Sequence, residues 1–170
     1  AADIKLLIGS EFQLEEGTRF ILIAKNRSGY GYICNLISTA RRRAPKGDYY
    51  LSYKDFVETE SNCIVVWLPN TEALQETRAK EIAWLKNYFE NQVWIGVTQL
   101  LINHESRQTH ILEQLSQITM TPLVAIGSAH MHISTRRMLR DTIHAIRLKK
   151  TIKNSGFDLT PNGANYPRNT

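Results

Sequence analysis

The chain has 170 residues, 42% of them hydrophobic and 22% charged, with a formal charge of +5. That is enough apolar content for one buried core, and the charge suits a polyanionic partner without demanding one. No stretch reaches the roughly 18 to 20 uninterrupted apolar residues of a membrane span, and no basic segment, long apolar run and cleavage site open the chain, so nothing suggests a membrane partner or export.

Short apolar runs at Lys5 to Ile8, Phe20 to Ala24, Cys63 to Leu68, Val93 to Val97 and Leu123 to Ile126 are the strand candidates. Cys34 and Cys63 sit inside apolar segments without metal-ligand spacing and read as small buried hydrophobes in a reducing compartment, which makes the cytoplasm the expected location. The runs lack in-out alternation, as strands covered on both faces do, and the stretches between them are long enough for crossover helices. An α/β fold of mostly parallel strands follows, either a sheet or a barrel. Ser52 with Asp55 looks like an N-cap pair opening a short helix over Phe56 and Val57. A longer helix starts near Thr71 and presents Ile82, Leu85 and Phe89 on one face. Ile111, Leu112, Leu115 and Ile118 repeat that spacing. A last helix over Arg136 to Leu148 is expected to turn Leu139, Ile143 and Ile146 inward and Arg136, Arg137 and Arg140 outward. From Asn154 the chain is too rich in Gly, Pro and Asn for another regular element, so residues 154–170 read as a tail and residues 1–153 as one domain. Five strand candidates are few for a closed β/α barrel, which takes eight strands and roughly 250 residues.

The densest polar feature is Gly127-Ser128-Ala129-His130-Met131-His132, directly after the fifth strand candidate. The carboxyl end of a parallel strand is where ligands gather, and histidines at i and i+2 share a side if the chain stays extended. Neutral imidazoles suit zinc or another transition metal, but such a site needs three or four ligands. Loop histidines that are merely exposed or hydrogen-bonded are the alternative. Glu11 lies just after the first strand candidate, where a carboxylate could complete the set with His130; a solvated or backbone-capping carboxylate is the other reading. His104, His110 and His144 read as surface or core-edge residues. Two basic groups, Arg41-Arg42-Arg43 and Arg136, Arg137 and Arg140 with the lysines beyond, could meet phosphates, although solvated helix faces are commoner. No Walker-type loop, nucleophile elbow or aromatic interleaving accompanies them.

Several segments together resemble the PHP domain of bacterial DNA polymerase III alpha subunits. They are Ile8-Gly9-Ser10-Glu11-Phe12, then Leu22-Ile23-Ala24-Lys25-Asn26-Arg27-Ser28-Gly29-Tyr30, then Asn35-Leu36-Ile37-Ser38. Arg41-Arg42-Arg43-Ala44 with Lys46-Gly47, and above all His130-Met131-His132 followed by Ser134, Arg136, Arg137, Leu139, Asp141 and Thr142, look like the error-prone branch. The likeness runs from Leu6 to about Asn162. It implies a distorted β/α barrel, partial here, whose metal site is built from an early His-x-His, further His and acidic residues, a Gly-x-Glu and a late Asp-x-His. Glu11 matches the Glu of Gly-x-Glu and His130 the His of Asp-x-His, with His132 nearby, but Ser128 stands at the Asp position and is a poor metal ligand.

The early histidines and their strands would precede residue 1, so the resemblance implies an N-terminally truncated barrel and a vestigial metal site with at most residual zinc or manganese. The palm carboxylates would lie beyond residue 170, leaving the piece itself inactive. It also implies a parent DNA-directed DNA polymerase in translesion synthesis and repair, using deoxynucleoside triphosphates and magnesium. The partners implied are the remainder of that chain, DNA, and other replication or translesion subunits. Three functions follow: a structural and interaction module, a metal-dependent phosphoesterase of phosphatase or exonuclease type in the intact domain, or a basic nucleic-acid-binding module. Loss of neighbouring strands would expose the edge at Leu6, Leu7 and Ile8, so self-association is the expected outcome and a monodisperse monomer in sedimentation would contradict it.

Overall fold

The computed structural model describes residues 6–56, 61–70, 75–100 and 105–167. It is a mixed α/β chain with an open five-stranded sheet in the order β1-β2-β3-β4-β5, consistent with a partial β/α barrel. The strands are β1 (Gly9–Gln13), β2 (Arg19–Ala24), β3 (Cys63–Leu68), β4 (Val93–Val97) and β5 (Leu123–Ala125). The long helices are α1 (Arg27–Arg43), α2 (Gln75–Tyr88), α3 (Glu105–Thr119) and α4 (Arg137–Arg147). β1 and β2 form an antiparallel hairpin, and β2 pairs antiparallel with β3. The sheet becomes parallel at β3 and β4, with Val65 opposite Val93 and Trp67 opposite Ile95. β5 joins through the Ile95 amide on the Pro122 carbonyl at 2.8 Å and the Ile126 amide on the Val97 carbonyl at 2.9 Å.

Four of the expected strands lie where the apolar runs put them, and the first does not. Leu6, Leu7 and Ile8 are exposed and outside any strand, Lys5 lies outside the described residues, and the first strand is the more polar Gly9–Gln13. Pairing decided this: the Gly17 turn sets Gly9 opposite Ile23 and Gln13 opposite Arg19, and that register buries Phe12 against Phe20.

The chain forms two compact units, Ala1–Gly96 with Ile111–Val124, and Val97–His110 with Ala125–Thr170. The first holds the apolar core. Phe20 lies at its centre, within 6.4 Å, ring centre to ring centre, of Phe12, Phe56, Trp84 and Phe89. Trp67 is fully buried, and its indole N–H donates to Glu81 on α2 at 2.8 Å. As the 3.6-residue period predicts, Ile82, Leu85 and Phe89 are buried. Ser52 and Asp55 form the expected capping box, but they open a single 3-10 turn, Tyr53–Asp55, and Phe56 is already extended. Thr71 and Val57 lie outside the described residues.

Helix α1 has no counterpart among the helix candidates, because Gly29 and Gly31 break the helical composition near its start. Asn26 caps it, accepting from the Gly29 amide at 3.0 Å. Gly29 is there for space: a β-carbon would collide with the Asn62 carbonyl, whereas Gly31 faces open space.

The second unit has little apolar interior. Its buried side chains are Asp141, Ala145, Ser155, Ala164 and Asn165 among those described. The inward face expected for α4 is reversed, since Leu139 is 52%, Ile143 59% and Ile146 69% exposed. Asp141 and Ala145 are the residues that α4 buries, because Arg137 and Arg140 turn back to bond Asp141 and the chain at Thr160. Ile118 on α3 is likewise exposed while Leu112 and Leu115 are buried. The segment from Asn154 does carry regular structure: a short helix, α5 (Ile152–Ser155), and a 3-10 turn at Gly156–Asp158.

Two glycine variants separate space from propensity on α1. Gly29→Ala should destabilise the chain by about 1–3 kcal/mol through overpacking, while Gly31→Ala should stabilise it by about 0.5–1 kcal/mol through helix propensity. Urea unfolding midpoints read both.

Candidate functional site

The histidine loop leaves β5 in the second unit. Ser128 adopts a left-handed conformation, with φ of 43°, which a serine holds only if its surroundings fix it. Asn165 does so. Its side-chain amide donates to the Ser128 carbonyl at 3.2 Å, and its own carbonyl accepts from the His130 amide at 2.9 Å and the Met131 amide at 3.2 Å. His130 and His132 are both exposed. Asn165 itself is buried, and sequence reading passed over it because it lies in the turn-rich segment taken for a tail; the Asn162-Gly163-Ala164-Asn165 run carries no local signal of this role.

Glu11 is in the middle of β1 in the first unit, not beyond a strand's carboxyl end. Its carboxylate accepts from Arg19 on the neighbouring strand at 2.6 Å, both side chains being about half exposed. Among the described residues, no group of three or more His, Cys, Asp or Glu side chains is placed to hold a metal ion. Glu11 is engaged by Arg19, and Ser128 offers no carboxylate. His104 lies outside the described residues.

The two arginine groups are largely occupied. Arg41 donates to the carbonyls of Gly47 and Asp48, each at 3.0 Å, with its guanidinium 5.4 Å from the Tyr49 ring centre. Arg43 pairs with Asp55, and Arg42 is exposed. These bonds tie the end of α1 to the loop that follows it, which is a structural use of cations at a helix C-terminus. In the second unit Arg137 bonds Asp141 at 3.3 Å and the Thr160 and Pro161 carbonyls at 3.1 and 3.3 Å. Arg140 bonds Asp141 at 3.3 Å and the Thr160 hydroxyl. Arg136 is exposed at the end of a 3-10 turn. Arg41, Arg42, Arg43 and Arg136 are all exposed, so these bonds leave much of the charge of the first group at the surface.

Cys63 is buried, and burial pushes its thiol up to about 11, so it is protonated and unreactive at neutral pH.

No family model matches the chain. Curated proteins named error-prone DNA polymerase do. One from Methylococcus capsulatus is 39% identical over 166 residues, covering 96% of this chain and 15% of that protein. Those from Pseudomonas syringae pv. tomato and Pseudomonas aeruginosa are 36% and 34% identical, each covering 97% of this chain and 16% of the relative. The chain is similar to one segment of much longer polymerases. It spans about a sixth of their length. Among the described residues no helix is long and apolar enough to cross a membrane.

One consequence concerns acid. Burial of Asp55 opposes its charge, but the Ser52 amide and the Arg43 guanidinium outweigh this and hold its carboxyl below the ordinary range. A lowered folded-state pKa stabilises fully above the unfolded-state value of about 4 and is lost as pH falls through the folded one. Asp55→Asn should therefore cost stability at pH 7 and little at the acid end, and urea midpoints across that range would show the two curves converging.

Proposed function

We propose that the chain is a structural and interaction module of an error-prone DNA polymerase of the DNA polymerase III alpha type, corresponding to part of its PHP domain. The observation that carries this is similarity over nearly the whole chain to one segment of proteins bearing that name. The parent would be a DNA-directed DNA polymerase acting in the cytoplasm in translesion synthesis and repair, with magnesium, deoxynucleotides and DNA handled by other parts of the protein. The module reading, as against an enzymatic one, is supported by two features. Ser128 occupies the position where the resemblance calls for a metal-binding Asp, and Glu11 is committed to Arg19. The exposed stripe of Leu139, Ile143 and Ile146, flanked on α4 by Met138 at 78% exposure, is apolar surface suited to contact with the remainder of the polymerase. Exposed Arg42 and Arg136 leave room for a contribution to DNA affinity, secondary to that role.

A metal-dependent phosphoesterase is the second reading, favoured by two exposed histidines beyond the carboxyl end of β5. It requires metal in the natural protein, so elemental analysis of the intact domain beside Ser128→Asp separates the two readings.

The module reading is tested by supplying the 170 residues and the remainder of such a polymerase as separate chains. They should co-elute, and Leu139→Glu with Ile143→Glu should weaken the association by about tenfold or more, the scale expected for lost burial of large aliphatic side chains. The isolated chain's unfolding midpoint should move little. Failure of the unaltered pieces to associate would count against the module.

A further inference from the structure

We infer that the segment Thr160–Tyr166 is a clasp and that Asn165 is the positioning residue setting the conformation of the Ser128–Met131 backbone, and with it the bearing of the histidine loop. The inference concerns the second unit alone and holds whether that loop meets a partner protein or a ligand.

Three attachments define the clasp. At one end Arg137 and Arg140 of α4 hold the Thr160 carbonyl, the Thr160 hydroxyl and the Pro161 carbonyl. In the middle the Asn162 side-chain amide donates to the Leu100 carbonyl, beyond the carboxyl end of β4, at 2.5 Å, while its oxygen accepts from the Ala164 amide at 2.9 Å. At the other end the Asn165 side-chain amide donates to the Ser128 carbonyl, and the Asn165 main-chain carbonyl accepts from the His130 and Met131 amides. The clasp thus ties the chain beyond β4, the chain beyond β5, and α4 to one another.

Apolar packing does little of this. Gly127 through His130 are exposed, and so are His132 and Ile133, so the loop has almost no hydrophobic anchor of its own. Asn165, in contrast, is 4% exposed, and Ala164 beside it is buried, so the Asn165 end of each bond is shielded from water while its partners Ser128 and His130 are exposed. The chemistry selects asparagine: the Ser128 carbonyl needs a donor, and aspartate of the same shape would offer a second acceptor there instead. The left-handed φ at Ser128 is the conformation this donor holds.

Amide hydrogen exchange on the 170-residue chain tests the inference without any ligand, so a negative result leaves the module reading standing, and failure of that reading leaves this one standing. Asn165→Asp removes the bond to the Ser128 carbonyl and keeps the main-chain acceptor, so loosening of the Ser128–Met131 backbone should speed exchange at His130 and Met131 by about tenfold, the scale of one lost hydrogen bond, while the Ile95 and Val65 amides of the sheet stay as protected as before. A general loss of stability would move all four together. In a Ser128→Gly background the left-handed conformation carries no penalty, so the same Asn165→Asp change should produce a smaller increase. Unchanged exchange at His130 and Met131 in Asn165→Asp, or an equal increase with and without Ser128→Gly, would overturn the assignment.

Discussion

A fully buried tryptophan in a central strand obliges its neighbours to provide an acceptor for the indole N–H, and in this chain that obligation organises the first unit. Trp67 lies on β3, the strand where the sheet changes from antiparallel to parallel pairing, and Glu81 of α2 accepts its N–H. Meeting that acceptor fixes the rotation of α2 about its axis, which carries Ile82 and Leu85 into the core and leaves Lys80 and Glu76 to pair with each other in solvent. Arg78, on the same helix, then reaches the Asn70 carbonyl at 3.0 Å just after β3. The aromatic cluster around Phe20 closes over the same helix through Trp84 and Phe89. One polar requirement inside an apolar core thus sets strand, helix and loop together.

The second unit is built on the opposite plan. Its interior is polar, and its order comes from guanidinium and carboxamide groups bonding to main-chain carbonyls. This explains why its most amphipathic helix presents its apolar side to water. Asp141 is worth burying on α4 because two arginines neutralise it, and those arginines in turn need the Thr160 region as acceptor. An apolar stripe left over from such an arrangement is available for something outside the unit.

How legible all this was in the sequence depended on which force dominated locally. β2, β3, β4 and β5, and the buried face of α2, follow from apolar runs and 3.6-residue spacing because burial of Leu22, Val65, Ile95, Ile82 and Leu85 decides them. β1 was misplaced by a few residues because hairpin register, set from the turn outward, outranks the apolarity of Leu6 to Ile8. α1 was missed because glycine weakens helix propensity, whereas Gly29 is required by the close approach of Asn62. The inward face of α4 was misjudged because periodicity locates a stripe but not its destination. Of the candidate site, the histidine pair was visible as a motif. Asn165 was invisible, since its partners are main-chain atoms 34 to 37 residues away, and no residue type advertises a bond to a carbonyl at that distance.

The change of pairing along the sheet also orders its assembly. Closure entropy grows with the length of chain enclosed, and β1 with β2 encloses only the short turn before Arg19, so the hairpin forms from local contacts on the microsecond scale of about 1–10 μs. β3 must bring back the whole of α1 before it can pair with β2, and β4 and β5 each wait on a crossover helix. On closure entropy the antiparallel edge is the least costly part of the sheet to form, and the strand from which the histidine loop departs lies at the opposite edge.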